Sequence, residues 1–532
     1  MKKLLLFLFI SISFCSFAQI EDAWLFLKDK PAKATFLANP LTMLSQTAID
    51  RRSNDGIAFD EKDVPIHEDY YNQLKNEGNI IILGKSKWLN AVHIQGTVSQ
   101  INGLPPNFPF IETIEFANKS LNFNGKNSSK NIIANHHKKF ANNKTDFMYG
   151  STENQIKMLK GDYLHAQGLT GTGQIIAVID AGFPNVNTLD AFARIRNNNQ
   201  ILGGYNFADR NDNFYTRDSH GTHVLSTIAG YKKDEFVGSA PDAKYYLFIS
   251  EITETETVLE ETLWVEAAER ADSLGVDVIN TSLGYTTYDN PNHSYSYADM
   301  DGKTTFITRG AEIGASRGLI LVNSVGNSGN DSWKYMGAPA DANSVISVGS
   351  VNSSRNISSF SSFGPTSDNR IKPEILAKGS NSAIIDYLSG SITVADGTSF
   401  SSPIMAGLIA CLNQTESPLL KKYKAKNKEF NNKELLKKAI FESSDKFLNP
   451  NSQYGYGIPN FEEAHILYIE STASINDVLL LEFIVYPNPT KDFIAFSKES
   501  LTAKLSFEIY TILGKKVLKT EKLNNNKIDI SN

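Results

Sequence analysis

The central part of this chain predicts an α/β fold, a parallel sheet flanked by helices, preceded by a small α+β unit and followed by a small β-sandwich-like unit. Three observations predict it. Continuous apolar runs of strand length recur at residues 174–179, 244–249, 276–279 and 319–322, as expected of strands buried on both faces. Helical stretches separate them, such as 258–274, with Val258, Leu259, Leu263, Ala267 and Ala271 on one face. Polar or glycine-rich segments follow three of the runs: Asp180-Ala-Gly182, Asn280-Thr-Ser-Leu-Gly284 and Asn323-Ser-Val-Gly-Asn-Ser-Gly329. Strands joined by helices give a parallel sheet with right-handed crossovers, whose C-terminal strand ends share one ligand-binding edge. Asp180, Ser282 to Gly284 and Asn327 are therefore expected to meet.

The 532 residues are too many for one core. A net charge of -6 argues against nucleic acid as a partner, since phosphate binding needs a basic face. Residues 1–18 have the form of a signal peptide: Lys2 and Lys3, an apolar stretch from Leu4 to Phe14, then Ser16-Phe17-Ala18 for cleavage. That stretch is far short of the ~20 residues of a membrane span. Phe14 stands where lipidation at Cys15 would need a small residue. With the signal removed only Cys411 remains, in an apolar segment, which excludes an intramolecular disulfide and suits a buried thiol.

Residues 20–116 form the α+β unit, with strands expected at 88–94 and 110–116 and a short helix at 98–104. Residues 117–148 are expected to be a cleavable linker, with eight asparagines between Ala117 and Lys144. The α/β domain spans 149–470, and a β-rich unit spans 479–532.

Two segments inside the domain carry candidate chemistry. In Asp396-Gly-Thr-Ser-Phe-Ser-Ser-Pro-Ile-Met-Ala-Gly407, Ser399 sits at the mouth of a helix, where free N–H groups and the helix dipole favour an oxyanion, and Pro403 is expected in the first turn. The same residues also suit an ordinary capped helix. His220 lies in Asp218-Ser-His-Gly-Thr-His223, where Gly221 permits close backbone approach. His220 and His223 could instead be metal ligands, but no H-E-x-x-H pattern or cysteine pair supports zinc.

Together, Val178-Ile-Asp-Ala-Gly182, His220-Gly-Thr-His223, Val278-Ile-Asn-Thr-Ser-Leu-Gly284, Val325-Gly-Asn327 and Gly397-Thr-Ser-Phe-Ser-Ser-Pro403 resemble the successive signatures of the subtilisin-like serine peptidases. Ala338-Pro-Ala, Val345-Ile-Ser-Val-Gly349, Ser358-Ser-Phe-Ser-Ser-Phe-Gly-Pro365 and Tyr454-Gly-Tyr-Gly-Ile-Pro459 extend the resemblance. It implies a subtilisin-like fold and a secreted endopeptidase in which Ser399 is the nucleophile, His220 the general base, Asp180 its orienting carboxylate and Asn327 the oxyanion donor. Ser282, Leu283 and Gly284, with Ser324, Val325 and Gly326, would flank a bound peptide substrate. An inactive binding relative and an esterase or amidase with the same triad are the alternatives. The residues 285–305, rich in Tyr, Asn and Asp, follow the peptide edge as either a rim of the cleft or an unrelated loop.

Two positions depart from the family pattern. Ala181 stands where a Ser or Thr is usual, so Asp180 must find other donors, and Phe400 replaces the common methionine. The resemblance implies no cofactor for the chemistry; structural calcium is frequent in the family, but no loop here has a readable ligand pattern. Residues 20–116 are similar to the family's inhibitory propeptides. The segments 481–490 and 507–515 resemble the C-terminal sorting domains of the Bacteroidetes type IX secretion system, here ending at Asn532 before the further strands such domains usually carry. The implied partners are peptide substrates, the chain's own propeptide and a secretion machinery, with the enzyme exported as a monomer.

Overall fold

The structure is a computed structural model that describes residues 19–122, 147–415 and 432–480, with short strands beyond. The N-terminal unit is an antiparallel sheet in the order β2-β3-β1-β4, built from β1 (Ile20–Leu27), β2 (Ile81–Ser86), β3 (Ala91–Thr97) and β4 (Ile111–Phe116). The strand expected at 88–94 is shifted. The N–H groups of Lys87 and Trp88 donate to Glu269 on a neighbouring helix at 3.2 and 2.9 Å, so this stretch turns away from the ladder. The helix Val98–Asn102 follows β3 and is closed by a capping box between Thr97 and Gln100. Two further helices, Gln46–Asn54 and Glu68–Lys75, are short and largely polar and carry little periodic signal. The start of the expected linker is folded: the Asn122 side chain accepts from Phe116 N–H and donates to Phe116 O, both at 2.8 Å. The signal peptide and residues 123–146 lie outside the described residues.

The central domain holds β5 (Ile175–Asp180), β6 (Ile201–Asn206), a small hairpin of β7 (Tyr231–Lys232) and β8 (Phe236–Val237), then β9 (Lys244–Ile249), β10 (Val278–Thr281), β11 (Ile320–Ser324), β12 (Ile346–Val351) and β13 (Ile375–Lys378). Seven of these form one parallel sheet, β13-β12-β11-β10-β5-β9-β6. All four predicted strands are in it. β5 is buried throughout because its faces serve two layers. Ile176 and Val178 pack with helices His220–Ala229 and Thr398–Asn413, while Ile175, Ala177 and Ile179 pack with Leu259–Leu274 and Phe306–Ser316. The helix Thr398–Asn413 is buried on all sides from Thr398 to Leu412, as its uniformly apolar and small residues require.

The N-terminal sheet lies on the second helical layer. Trp24 stacks on Phe306 with ring centroids 4.7 Å apart, and its indole N–H donates to Thr262 Oγ1 at 3.0 Å. The helix Phe461–Leu480 crosses the domain boundary expected at residue 470. Beyond it, Phe493–Phe496 pairs antiparallel with Val485–Tyr486 and Lys527–Asp529, and Phe507–Tyr510 pairs with Lys516–Thr520, giving the β-rich character expected there.

Candidate active site

The strand ends deliver their polar groups to one edge, as the parallel sheet demands. Asp180 closes β5 with its carboxylate buried. Oδ1 accepts from Ala181 N–H at 2.8 Å and lies 2.7 Å from His220 Nδ1. The other donors expected in place of a residue-181 hydroxyl are thus one backbone N–H and the imidazole; Oδ2 has no partner among the described residues. His220 begins its helix, with its backbone N–H on Asp218 Oδ1 at 2.8 Å. Gly221 brings that helix against β5 as expected: a Cβ there would stand 2.3 Å from Gly182 O and 3.0 Å from Asp180 Cβ. His223 faces Tyr387 edge-on at 5.7 Å, so the two rings engage different partners.

Ser399 is at the N-terminus of its helix, but Pro403 lies in the second turn, not the first. It therefore removes the intrahelical bond to Ser399 O. The Ser282 hydroxyl replaces that bond, donating to Ser399 O at 3.0 Å, and is itself held by Asn280 Nδ2 at 3.2 Å. In return the Ser399 hydroxyl donates to Ser282 O at 3.3 Å; no Ser399–His220 hydrogen bond occurs among the described residues. Asn327 is oriented by Thr398, whose N–H and hydroxyl both donate to Asn327 Oδ1 at 2.8 and 2.9 Å. That fixes which amide atom is oxygen and leaves Nδ2 free, like the Ser399 N–H, of partners among the described residues.

A cavity of about 220 Å³ opens beside Ser399 and Asn327. Ser282, Leu283 and Gly284 line one side and Ser324, Val325 and Gly326 another, so all six residues expected to flank a peptide converge. Asn323 secures this arrangement by donating to Leu283 O at 3.0 Å, and Gly326 turns with φ +105. Thr286, Trp333, Tyr335 and Gly337 complete much of the wall, and sequence reasoning missed them. The Ala338-Pro-Ala block beside Gly337 was the available signal. Residues 285–305 touch the cleft, since Thr286 lines the cavity, and they are also anchored away from it. Tyr288 and Tyr295 are buried, His293 meets Glu21 of the N-terminal unit at 3.0 Å, and Lys119 pairs with Asp299 at 2.7 Å.

Burial presses the His220 pKa down, but the Asp180 carboxylate, its hydrogen bond, Asp218 and Glu251 outweigh this and raise it above 6.5. Glu251, one residue past Ser250, whose N–H donates to Asp180 O, accepts from the Tyr285 hydroxyl at 2.8 Å. Burial and the neighbouring Glu256 push Glu251 up to about 7. Burial and neighbouring carboxylates likewise take Glu256 to about 7 and Glu260 to about 9. These three carboxyls are the one acidic group among the described residues whose oxygens approach within 4.8 Å. Calcium takes six to eight oxygens. Both Glu260 oxygens already accept backbone N–H bonds, from Ile252 and Thr257, so the cluster falls short of such a shell.

A carboxylate, an imidazole, a serine hydroxyl and an amide donor on one edge of a parallel sheet, beside a cavity of side-chain size, are the parts of a serine peptidase. The Subtilase family profile matches residues 171–457, more than half of the chain, and the chain belongs to that family. It is a subtilisin-like serine endopeptidase. It is similar to Subtilisin DY of Bacillus licheniformis, 29% identical over 58% of this chain and 97% of that protein. Subtilisin NAT of Bacillus subtilis subsp. natto is 30% identical over 58% of this chain and 70% of its own length. Among solved structures, the prenylagaramide maturation protease PagA aligns at 22% identity and a TM-score of 0.43, over 57% of this chain and 98% of that one. A Peptidase S8 propeptide domain of Bacteroidota matches residues 22–135, and a secretion system C-terminal sorting domain matches 484–532. The sorting domain points to type IX export, and no helix among the described residues is long and apolar enough to cross a membrane.

Proposed function

We propose that the enzyme cleaves peptide bonds through an Asp180-His220-Ser399 triad and an acyl-enzyme intermediate. Ser399 Oγ exchanges its bond to Ser282 O for one to His220 Nε2, which takes its proton as Oγ attacks the scissile carbonyl. Asp180 holds Nδ1–H, setting the tautomer and stabilising the imidazolium. The tetrahedral oxyanion is received by Asn327 Nδ2 and the Ser399 N–H, and its collapse releases the amine with the proton returned by His220. Water, activated by the same imidazole, then frees the acyl group.

The observation that carries this reading is the double hydrogen bond from Thr398 to Asn327 Oδ1, which aims the amide N–H₂ group towards the space beside Ser399. Leu283 and Gly284 supply an edge for an extended peptide, and among the described residues the wall of the adjoining cavity carries no charge, so it suits an uncharged side chain before the scissile bond. The N-terminal unit inhibits the enzyme until cleavage within 117–148, and the chain leaves the cell by removal of residues 1–18 followed by type IX export. A fluorophosphonate label tests the chemistry: wild type should be labelled after processing and Ser399→Ala should not, while labelling that survives Ser399→Ala refutes the nucleophile. Casein digestion with mapped cleavage sites separates a peptidase from an esterase or amidase.

A further inference from the structure

The 285–305 segment leaves the cavity at one point and returns to it at another. Tyr285 exchanges both backbone hydrogen bonds with Ala338, at 2.9 and 3.1 Å, next to the cavity residue Gly337. Further along, Tyr297 stacks on Tyr335 with centroids 4.0 Å apart, and its hydroxyl donates to Pro365 O at 2.8 Å. Tyr335 lines the cavity with Trp333, is half-buried, and meets Phe363 edge-on at 6.2 Å. Tyr297 is not itself among the lining residues.

The segment between these two points is braced. The hydroxyls of Tyr288 and Tyr295 both donate to Glu261 Oε1, at 2.7 and 2.5 Å, and Ile307 N–H donates to Glu261 Oε2 at 2.9 Å. Glu261 is fully buried within the Leu259–Leu274 helix, so the segment is tied to the core of the sheet's second layer. A stacking partner held this way can set the position of a half-exposed ring that has no hydrogen bond of its own among the described residues.

We infer that Tyr297 is a positioning residue for substrate selection: it holds Tyr335 as one wall of the cavity and so favours a flat, uncharged aromatic side chain immediately before the scissile bond. The inference rests on the reading of this cavity as the substrate pocket. Two aromatic rings in the wall, an indole and a phenol, offer offset or edge contacts to a third, while a methyl group reaches neither.

The full chain, allowed to process and counted by fluorophosphonate labelling, is assayed on peptides that differ only by Phe or Ala before the scissile bond. Tyr297→Ala should raise KM for the Phe peptide about three- to tenfold, the worth of one aromatic pair, with kcat per labelled site and the Ala peptide within about twofold of wild type. Tyr297→Phe, which keeps the stack and loses the hydroxyl, should retain most of the wild-type KM. Equal changes for both peptides, or a fall in kcat with KM unmoved, overturns the inference. Tyr335→Ala separates the two levels. If it erodes discrimination between Phe and Ala while Tyr297→Ala does not, the role of Tyr297 fails alone; if Tyr335→Ala leaves discrimination intact, the substrate-pocket reading fails as well.

Discussion

Asn327 has a short side chain whose use depends on which of its two amide atoms faces the cavity. Thr398 decides this by donating twice to Oδ1. Asn327→Ala should therefore lower kcat about 10²–10³-fold with little change in KM, the usual loss for one oxyanion donor, measured on a soluble peptide substrate. His220 makes a pH prediction of definite sign. Its pKa is raised despite burial because Asp180, Asp218 and Glu251 favour the imidazolium. The proposed base must be neutral, so kcat/KM should fall as pH drops through a value above 6.5. Glu251→Gln removes one of the negative neighbours and should move that acid limb to lower pH. Since burial holds Glu251 itself at about 7, its charge is partial there, and the shift should be about a few tenths of a pH unit in a kcat/KM profile. An unmoved limb would show that Glu251 does not reach the imidazole electrostatically.

The helix Leu259–Leu274 shows how one element serves two domains. Its inward residues Leu263, Val265, Ala267 and Ala271 pack in the core of the second layer. Thr262, Glu266, Glu269 and Asp272 all face the propeptide instead. At the far end Asp272 meets Arg51 and Arg52 of the propeptide helix Gln46–Asn54, and Arg52 also pairs with Asp63 at 2.8 Å. All four groups are buried. Removing one member of such a network leaves charges unpaired, at a cost of about 3–5 kcal/mol. Asp272→Asn should thus loosen the processed propeptide by roughly 10²–10⁴-fold, seen as earlier appearance of activity after processing. Unchanged timing would show that this end of the helix does not hold the inhibitor. A continuous helix was legible from its apolar spacing, but its propeptide-facing residues were not, because nothing in 258–274 alone says that a second sheet covers the polar face.

At the scale of the molecule, stability depends on pH through buried groups remote from the cleft. His165 is fully buried between the Tyr149 hydroxyl, 2.8 Å away, and Ser239 O, 3.0 Å away, and burial pushes its pKa down to about 4. An unfolded chain would protonate it near 6.5. Between these values the unfolded state binds more protons, so the stability contribution is whole above about 6.5 and is lost as pH falls towards 4. The full effect is about 3 kcal/mol. His165→Gln should lower Tm at neutral pH yet flatten the decline of Tm between pH 7 and 4.5; an unchanged slope would assign the acid sensitivity to other groups.

Much of this architecture was legible because its signals are local. A strand buried on both faces must be apolar throughout, so β5, β9, β10 and β11 were visible, and their polar ends marked Asp180, Ser282 and Asn327. Trp88 was misplaced because a carboxylate on another domain, Glu269, captures the N–H groups that strand pairing would have used. Pro403 was placed a turn too early, since the helix start is set by Gly397 and Asn327 rather than by the proline.

The sequence by itself determined the fold class, the order of the chemical groups and the propeptide and sorting segments at either end, because period, spacing and motif order are properties of the chain. Only the tertiary structure decided how those groups are used. Ser282 O and Ser399 Oγ bond across a sequence separation of 117, Asn327 takes its orientation from Thr398, and Tyr297 reaches the cavity through Tyr335. These are contacts between groups far apart in the chain whose strengths depend on distance and direction, which no local pattern of residues records.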